Sequence, residues 1–243
     1  MVSRFLDFNS TSSIDGRFMQ SEHWTSSDDW PREWIDVAFK TYPRFPAVAL
    51  PDVPWNPRLN LSQAFSDRRS ERATTAPLDH ARLSVLLKEA LRVWHTPENP
   101  GARRAYPSAG ARFPVEAYLV WRGDPDLKAG LYHYRPLDHH LEELTDRPME
   151  EDLLAVFGHE WISRAQAVVL LTAEFSRSAV KYGERAYRFA LLEAGHLAQN
   201  LLLVAADLAV AATPVGGFAD DRLNRLLDIG RTDERAIYSV VVP

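Results

Sequence analysis

The feature that most constrains the fold is a long apolar stretch from about Arg185 to Leu208, within the segment VKYGERAYRFALLEAGHLAQNLLLVAADLAVAATPVGGF. It is rich in Ala and Leu and contains no proline, which predicts one long helix. Glu193, His196 and Asn200 recur at spacings that place a polar stripe along one helix face. The length approaches a membrane span, but these internal polar residues favour a buried helix of a soluble protein.

The overall composition limits which partners the protein can bind and which residues can carry out its chemistry. The chain has 243 residues and a net charge of −5, which argues against a nucleic-acid or polybasic membrane surface. It contains no cysteine, so disulfides, thiolate metal sites and a cysteine nucleophile are excluded. The first residues lack the apolar core of a signal peptide, and a cytoplasmic location is expected.

The chain divides into two regions of different amino-acid composition. Residues 1–60 are rich in Ser, Asp and Pro and contain Trp24, Trp30, Trp34 and Trp55. So many tryptophans predict an arm that packs on a larger body or on a second subunit. Residues 61–243 are expected to form the main domain.

A basic turn near the start of that domain is the first chemical signal. It follows a predicted helix from Leu61 and precedes another that begins near Leu78, with Asp79 as its N-cap. Arg68, Arg69, Ser70 and Arg72 bring three guanidinium groups and a hydroxyl together. Such a group can bind a phosphate, and the alternative is a solvated turn paired with Asp67 and Glu71.

A loop of small residues follows, at Pro107, Ser108, Ala109 and Gly110, and it can bring backbone against a flat ring. Val115–Trp121 and Ala167–Ala173 are predicted strands, and GLYHYRP and HLEEL form a predicted hairpin. His133, His139 and His140 lack a recognised ligand spacing, so no metal site is predicted. A short helix is expected over 148–161.

The order of these elements predicts the fold class. Helices dominate, strands lie in the middle and at the end, and no βαβ alternation or G-x-G-x-x-G fingerprint appears. We therefore expect an α+β domain with a central, mainly antiparallel sheet flanked by helices.

Five segments in register resemble the nitroreductase-like flavoproteins, and more closely their azoline dehydrogenase branch of the SagB or thiazole/oxazole-oxidase type. They are RRSER at 68–72, YPSAGARFPVEAYLV at 106–120, GLYHY at 130–134, KYGERAYRFALLEAGHLAQNLLLVA at 181–205 and TPVGGF at 213–218. The resemblance implies a nitroreductase-like homodimer with FMN bound non-covalently at the subunit interface.

The resemblance also assigns cofactor contacts. The arginine-serine turn would grip the phosphate and ribityl chain, and the loop at 107–110 would pack on the isoalloxazine from the partner subunit. The glycine segment, Pro214, Val215, Gly216 and Gly217, would lie over the ring, and Gln199 and Asn200 are further candidates. In many nitroreductases a basic residue beyond the last common strand also reaches the FMN phosphate. In this chain Arg185, Arg188 or Arg231 is the expected replacement for that contact.

Lys181 and Tyr182 match the Lys-Tyr pair that this branch uses in catalysis. The implied reaction oxidises an azoline to an azole in a peptide or peptide-like heterocycle, with hydride transfer to flavin N5, proton removal by a base, and O2 as final acceptor. Such an enzyme belongs to natural-product biosynthesis and can work with a cyclodehydratase partner.

Two other functions stay open. One is an NAD(P)H-dependent reductase of nitro, quinone or ene substrates on the same cofactor. The other is a flavin-free scaffold protein of a peptide-modifying complex, for which the tryptophan-rich arm would serve docking.

Overall fold

A central sheet of seven strands organises the computed structural model, which describes residues 31–73, 76–96 and 99–243. The strand order is β1-β6-β5-β4-β7-β9-β8, and every pairing in it is antiparallel. The strands are β1 (Ala47–Ala49), β4 (Val115–Trp121), β5 (Gly130–Arg135), β6 (His140–Thr145), β7 (Ala167–Glu174), β8 (Thr213–Val215) and β9 (Glu234–Val242). The predicted α+β class and antiparallel sheet are therefore confirmed.

A separate two-stranded hairpin joins β2 (Val93–Thr96) to β3 (Asn99–Arg104). No strand was predicted in this region, because its proline and glycine hide any strand periodicity. The hairpin leads directly into the small-residue loop at 107–110.

Helices cover both faces of the sheet. They are α1 (Arg32–Ile35), α2 (Leu61–Asp67), α3 (His80–Ala90), α4 (Glu150–Phe157), α5 (Glu160–Ser163), α6 (Phe175–Tyr182), α7 (Ala186–Asp207) and α8 (Asp220–Leu226). Asp79 caps α3 through the Arg82 amide, as predicted. The single helix expected over 148–161 is two short ones, because Gly158 adopts a left-handed conformation and ends α4.

Successive side chains of the central strands point to opposite faces of the sheet, and each face has its own hydrophobic core. In β4, Ala117 and Leu119 join one cluster with α3 and α7, whereas Tyr118 and Val120 join another with α4, α5 and α8. This is the period of two that a sheet buried on both faces requires. One face of the long helix is thus buried in the first core.

Taken with α6, the long helix is apolar and long enough to span a membrane by length and composition. In the structure it instead packs as a core helix, with Leu197 and Leu201 fully buried against the sheet. The predicted polar stripe is split: Glu193 is buried and Asn200 half-buried, but His196 is exposed. His196 therefore does not share the environment expected for it.

The described part of the arm, residues 31–60, crosses the body. Leu50 is buried in the first core, and Trp55 donates its indole N–H to Asp207 at 2.8 Å. Lys40 forms an ion pair with the buried Glu234. Trp24 and Trp30 lie outside the described residues, and the domain boundary at residue 60 stays a prediction.

Candidate functional site

Lys181 and Tyr182 end α6, one turn before α7 begins. Gly183 ends α6, so the pair belongs to a short helix of its own and not to the long helix that follows. The pair lies against Gly110 of the small-residue loop: a Cβ added there would collide with the Tyr182 hydroxyl and lie 3.3 Å from Lys181 Nζ. Gly110 also has a φ of 59°, which favours glycine. The structure therefore brings two predicted motifs into contact within one chain.

The Lys181 amine lies in a site that disfavours its charge. Only 5% of the residue is exposed. Burial, and then the neighbouring Arg112 guanidinium, lower the pKa of Lys181 below its usual value. Burial raises the pKa of Tyr182, so its phenol stays protonated at neutral pH. The pair combines an amine that loses its proton readily with a phenol that keeps its own.

Ser108 fixes the loop from its other side. Its hydroxyl oxygen accepts a hydrogen bond from the Phe113 amide at 2.8 Å and is also bonded to the Glu193 carboxyl group of α7. Burial raises the pKa of Glu193 to about 7, although Ser108 and the Val115 amide oppose the shift. Glu193 thus ties the loop to the long helix.

Asn200 lies almost two turns further along α7. Its side-chain amide donates to the Ala105 carbonyl at 2.9 Å and to the Ala90 carbonyl at 3.4 Å. These hydrogen bonds fix the backbone just before the small-residue loop, so the Asn200 amide group is bonded to main-chain carbonyls in this structure. Gln199 is half-buried on the same turn. The flavin contacts predicted for both residues stay predictions.

A cavity of about 530 Å³ opens beside the loop. Its walls are aromatic rings, two guanidinium groups and small residues: Trp94, Arg103, Arg104, Tyr106, Pro107, Ser108, Ala111 and Phe113. The Arg104 guanidinium lies 4.8 Å from the ring centroids of both Phe39 and Phe113. Its buried Nε–H has no acceptor among the described residues. A flat ligand with a hydrogen-bond acceptor at its edge suits these walls.

The arginine turn lies elsewhere, joined to the chain that follows α7. Ser70 forms a parallel bridge with Ala212, and the Thr213 hydroxyl donates to the Glu71 carbonyl at 2.6 Å. Arg69 is exposed and lines a small pocket with Leu202 and Ala206 of α7, whereas Arg68 is half-buried. Two motifs separated by 140 residues thus form one surface.

Arg72 points to a different neighbour. Its guanidinium lies 5.1 Å from the centroid of the Trp161 ring on α5. A cation–π contact of this kind fixes the side chain there. The phosphate role expected for Arg72 stays a prediction, and Arg69 and Ser70 have the more direct connection to the glycine segment.

The glycine segment follows directly. Pro214 and Val215 lie in β8, where the Ser239 hydroxyl donates to the Val215 carbonyl at 2.7 Å. A Cβ on Gly216 would lie 3.6 Å from the Tyr238 ring, and one on Gly217 would meet open space. The segment is therefore anchored on β9 and open beyond Gly217.

The predicted site residues form two groups along α7. One contains the loop, Lys181 and Tyr182 near Glu193, and the other contains the arginine turn and glycine segment near Leu202. Nine residues, or about 14 Å of helix, separate Glu193 from Leu202.

The histidines have structural partners. His133 is fully buried, with Nδ1 2.7 Å from Glu142 and Nε2 3.2 Å from Glu116. The two carboxylates raise the pKa of His133 against the effect of burial. His139 contacts Tyr134 and Ser84, and His140 contacts the Asp138 carbonyl. Across the described ranges, no cluster of three or more potential metal ligands is present.

Three residues near Lys181 and the loop were missed by the sequence analysis as site components: Trp34, Arg112 and Glu193. Arg112 is buried and donates to the carbonyls of Arg177, Trp34 and Asp36 at 2.7–3.1 Å. Trp34 and Glu193 had been noted for other reasons, as an arm aromatic and as part of the polar stripe. Their contacts are long-range, so no local spacing could have revealed them.

Comparison with known proteins gives a consistent set of relatives. The profile described as Nitroreductase family matches residues 66–242. A protein of Methanocaldococcus jannaschii described as a nitroreductase is 32% identical over 184 residues, which cover 75% of this chain and 89% of that protein. The microcin B17-processing protein McbC of Escherichia coli is 28% identical over 172 residues, 68% of this chain and 62% of McbC.

Solved structures show the same architecture. One is a crystal structure of a protein from Anabaena variabilis described as a nitroreductase. The match covers 98% of this chain and 45% of the Anabaena chain, with a TM-score of 0.73 and 29% identity. One chain in the structure of the E. coli microcin synthetase McbBCD complex with truncated pro-MccB17 is also similar. The match covers 98% of this chain and 91% of that chain, with a TM-score of 0.59 and 22% identity. The chain thus spans less than two thirds of McbC and about half of the Anabaena protein.

Proposed function

Because the chain belongs to the nitroreductase family and to its SagB-like branch with McbC, we propose that it is an FMN-dependent dehydrogenase. Its substrate is an azoline ring in a peptide or peptide-like heterocycle, which it oxidises to the azole in natural-product biosynthesis. One observation carries this proposal: a buried amine of lowered pKa, Lys181, lies with Tyr182 against the Gly110 backbone. A reductase that only receives hydride from a nicotinamide has no need of such a base.

The residues of the two groups have the chemistry that FMN binding requires. The aromatic cavity beside Pro107 and Ser108, with the buried Arg104 Nε–H lacking an acceptor among the described residues, suits a flat ring with carbonyl groups at its edge. The exposed Arg69 and Ser70 suit a phosphate. When bound, FMN would supply the acceptor for the hydride that leaves the azoline ring, with O2 as the proposed final acceptor of the electrons.

Lys181 takes the proton. Conversion of an azoline to an azole removes one hydride and one proton, so a base must face the substrate. A lysine whose pKa is lowered by burial is neutral in a larger fraction of molecules at neutral pH and can accept that proton. Arg112 favours the same neutral state because its positive charge lies nearby.

Tyr182 positions the substrate. Its hydroxyl lies at the Gly110 backbone, and its raised pKa keeps the O–H available as a hydrogen-bond donor. The azoline nitrogen is an acceptor that such a phenol can hold. A phenol that donates to the ring nitrogen also makes the adjacent carbon more acidic.

The active unit we propose is a homodimer. Apolar side chains are exposed on α7 at Tyr187, Leu191 and Leu192, and on α2 at Leu61 and Phe65. Isolated monomers rarely leave so many large apolar residues in water, so a second copy is the proposed cover. The resemblance would then place the loop of one subunit, with its Lys181, against the ring held by the arginine turn of the other.

The partners follow from the relatives. McbC processes microcin B17, and the McbBCD complex was solved with a truncated pro-peptide. We therefore propose a cytoplasmic role beside a cyclodehydratase that forms azolines in a peptide. The chain spans only part of McbC, so the substrate peptide and partner are proposals for this protein.

The test uses purified protein loaded with FMN and a synthetic peptide that carries one thiazoline. We expect loss of two hydrogen atoms in the mass spectrum of the peptide, with O2 present. Lys181→Met should lower kcat by about 10²-fold or more, since a general base contributes at least that much. It should leave the flavin content unchanged.

Lys128→Met is the matched control, because Lys128 is a well-exposed lysine with a long contact to Asp146. It should retain full turnover. Dehydrogenation that survives in Lys181→Met would refute the assigned base.

A second function is favoured by one comparison, since the M. jannaschii relative is described as a nitroreductase. On that alternative the chain reduces nitro, quinone or ene substrates with NAD(P)H. NADPH oxidation that depends on such an acceptor, without any reaction of the thiazoline peptide, would favour it.

A further inference from the structure

The N-terminal arm reaches Lys181. Trp34 lies in the short helix α1, and its ring centroid is 5.7 Å from Lys181 Nζ. The same Nζ lies close to the Gly110 backbone. The amine is therefore in contact with the arm as well as with the small-residue loop.

Arg112 fixes this part of the arm. It is buried, and it lies two residues after Gly110, the last residue of the small-residue loop. Its guanidinium donates to the Trp34 carbonyl at 3.0 Å and to the Asp36 carbonyl at 3.1 Å, while Nε donates to the Arg177 carbonyl of α6 at 2.7 Å. One side chain thus joins the arm, the loop and α6 around Lys181.

The Trp34 ring has two effects on the amine. It covers Lys181, whose 5% exposure leaves little room for water. Its π face also attracts an ammonium group, which favours the charged form. Burial is the largest influence on the Lys181 pKa, and the Trp34 ring is part of the surface that buries the amine.

The other charged or titratable groups around the amine act in known directions. Arg112 disfavours the ammonium, and the neighbouring Tyr182 is a neutral phenol. Arg177 and Asp36 face Arg112, and their charges oppose each other there. Trp34 is an uncharged contact of the amine, so its replacement changes the solvation of Lys181 without changing the net charge.

We propose that Trp34 is a positioning residue for Lys181: its ring holds the amine against the Gly110 backbone and excludes water from it, so the arm is part of the reaction site. This inference rests on the proposed function, in which Lys181 is the base. It assigns a role to the arm beyond packing on the body.

The direct test measures the Lys181 pKa without turnover. FMN-loaded protein is labelled with trace acetic anhydride from about pH 7 to pH 11, and the labelled Lys181 peptide is quantified by mass spectrometry. In Trp34→Ala the midpoint should rise by about one pH unit, because water reaches the ammonium. Trp34→Phe, which keeps an aromatic cover, should stay near the wild-type midpoint.

Trp55→Ala is the matched control, since Trp55 is another arm tryptophan but bonds to Asp207 at the far end of α7. It should leave the Lys181 midpoint unchanged. The proposal is overturned if Trp34→Ala also leaves the midpoint unchanged, or if Trp55→Ala shifts it equally.

The second measurement is turnover of the thiazoline peptide. Trp34→Ala should lower kcat/KM at neutral pH about tenfold and move the rising limb of the pH profile to higher pH by the same unit. Trp34→Phe should restore most of the activity. If the wild type does not oxidise the peptide, the proposed function fails, while the labelling still decides whether Trp34 sets the environment of Lys181.

Discussion

At the scale of single residues, Glu193 shows how a buried carboxyl group links the long helix to the site. It is 2% exposed, and its carboxyl group contacts Ser108 and the Val115 amide. Its pKa is raised to about 7, so its folded-state value lies above the usual 4.5. The carboxyl group therefore stabilises the fold most when it is protonated, and this contribution is lost as the pH rises through about 7.

We predict that Glu193→Gln removes this pH dependence. Ionisation of the buried wild-type group costs roughly 3 kcal/mol across the window from about pH 4.5 to pH 7, whereas glutamine stays neutral. Thermal unfolding measured across this window should show a smaller fall in Tm for the variant than for the wild type.

Glu151→Gln is the control, because Glu151 is an exposed glutamate on α4. It should follow the wild-type curve. Equal slopes for Glu193→Gln and the wild type would show that the carboxyl group does not titrate there.

At the scale of elements, the sequence predicted α2, α3, α7 and the strands β4 to β7, but it did not predict α1, α6 or how the motifs meet. The bounds of β4 and the Asp79 cap were predicted directly, since they depend on local spacing and capping chemistry. The bridge between Ser70 and Ala212 depends on the position of α7 between them, which no local pattern encodes. The same reason hid the contact between Gly110 and Tyr182.

The bridge leads to a prediction for Arg69. Removal of a charge-assisted contact to a phosphate costs about 1.5–3 kcal/mol, so Arg69→Met should weaken FMN binding by about 10- to 100-fold. The Kd is measured by quenching of FMN fluorescence. Arg164→Met is the control, since Arg164 is an exposed arginine directly after α5 that pairs with Glu160. A Kd for Arg69→Met that matches this control would refute the phosphate contact.

At the scale of the whole molecule, the two groups of site residues lie about 14 Å apart along one helix. The members of these groups were predicted through the resemblance to a family, whereas the helix that separates them was predicted from its Ala- and Leu-rich, proline-free composition. The structure adds that Lys181 belongs to the same group as the small-residue loop. The proposed homodimer, which combines both groups through a second copy, would cover Leu191 and Leu192, which α7 exposes in the single chain.

We predict that Leu192→Asp disrupts this assembly. A charge at the centre of an apolar interface is left unpaired when the interface forms, so the dimer should dissociate and FMN should be lost with it. Light scattering coupled to gel filtration reports both mass and flavin absorbance. Leu154→Asp is matched, because Leu154 is a similarly exposed leucine on α4; a Leu192→Asp dimer that keeps its flavin would contradict the proposed interface.

Azoline oxidation with Lys181 as the base is the claim on which the proposed function rests. The most direct measurement follows the visible absorbance of the FMN-loaded protein without oxygen, first with NADPH and then with a thiazoline peptide. We predict that the flavin bands persist with NADPH, bleach with the peptide in the wild type, and persist with the peptide in Lys181→Met. Rapid bleaching by NADPH together with no response to the peptide would contradict the claim and identify a reductase.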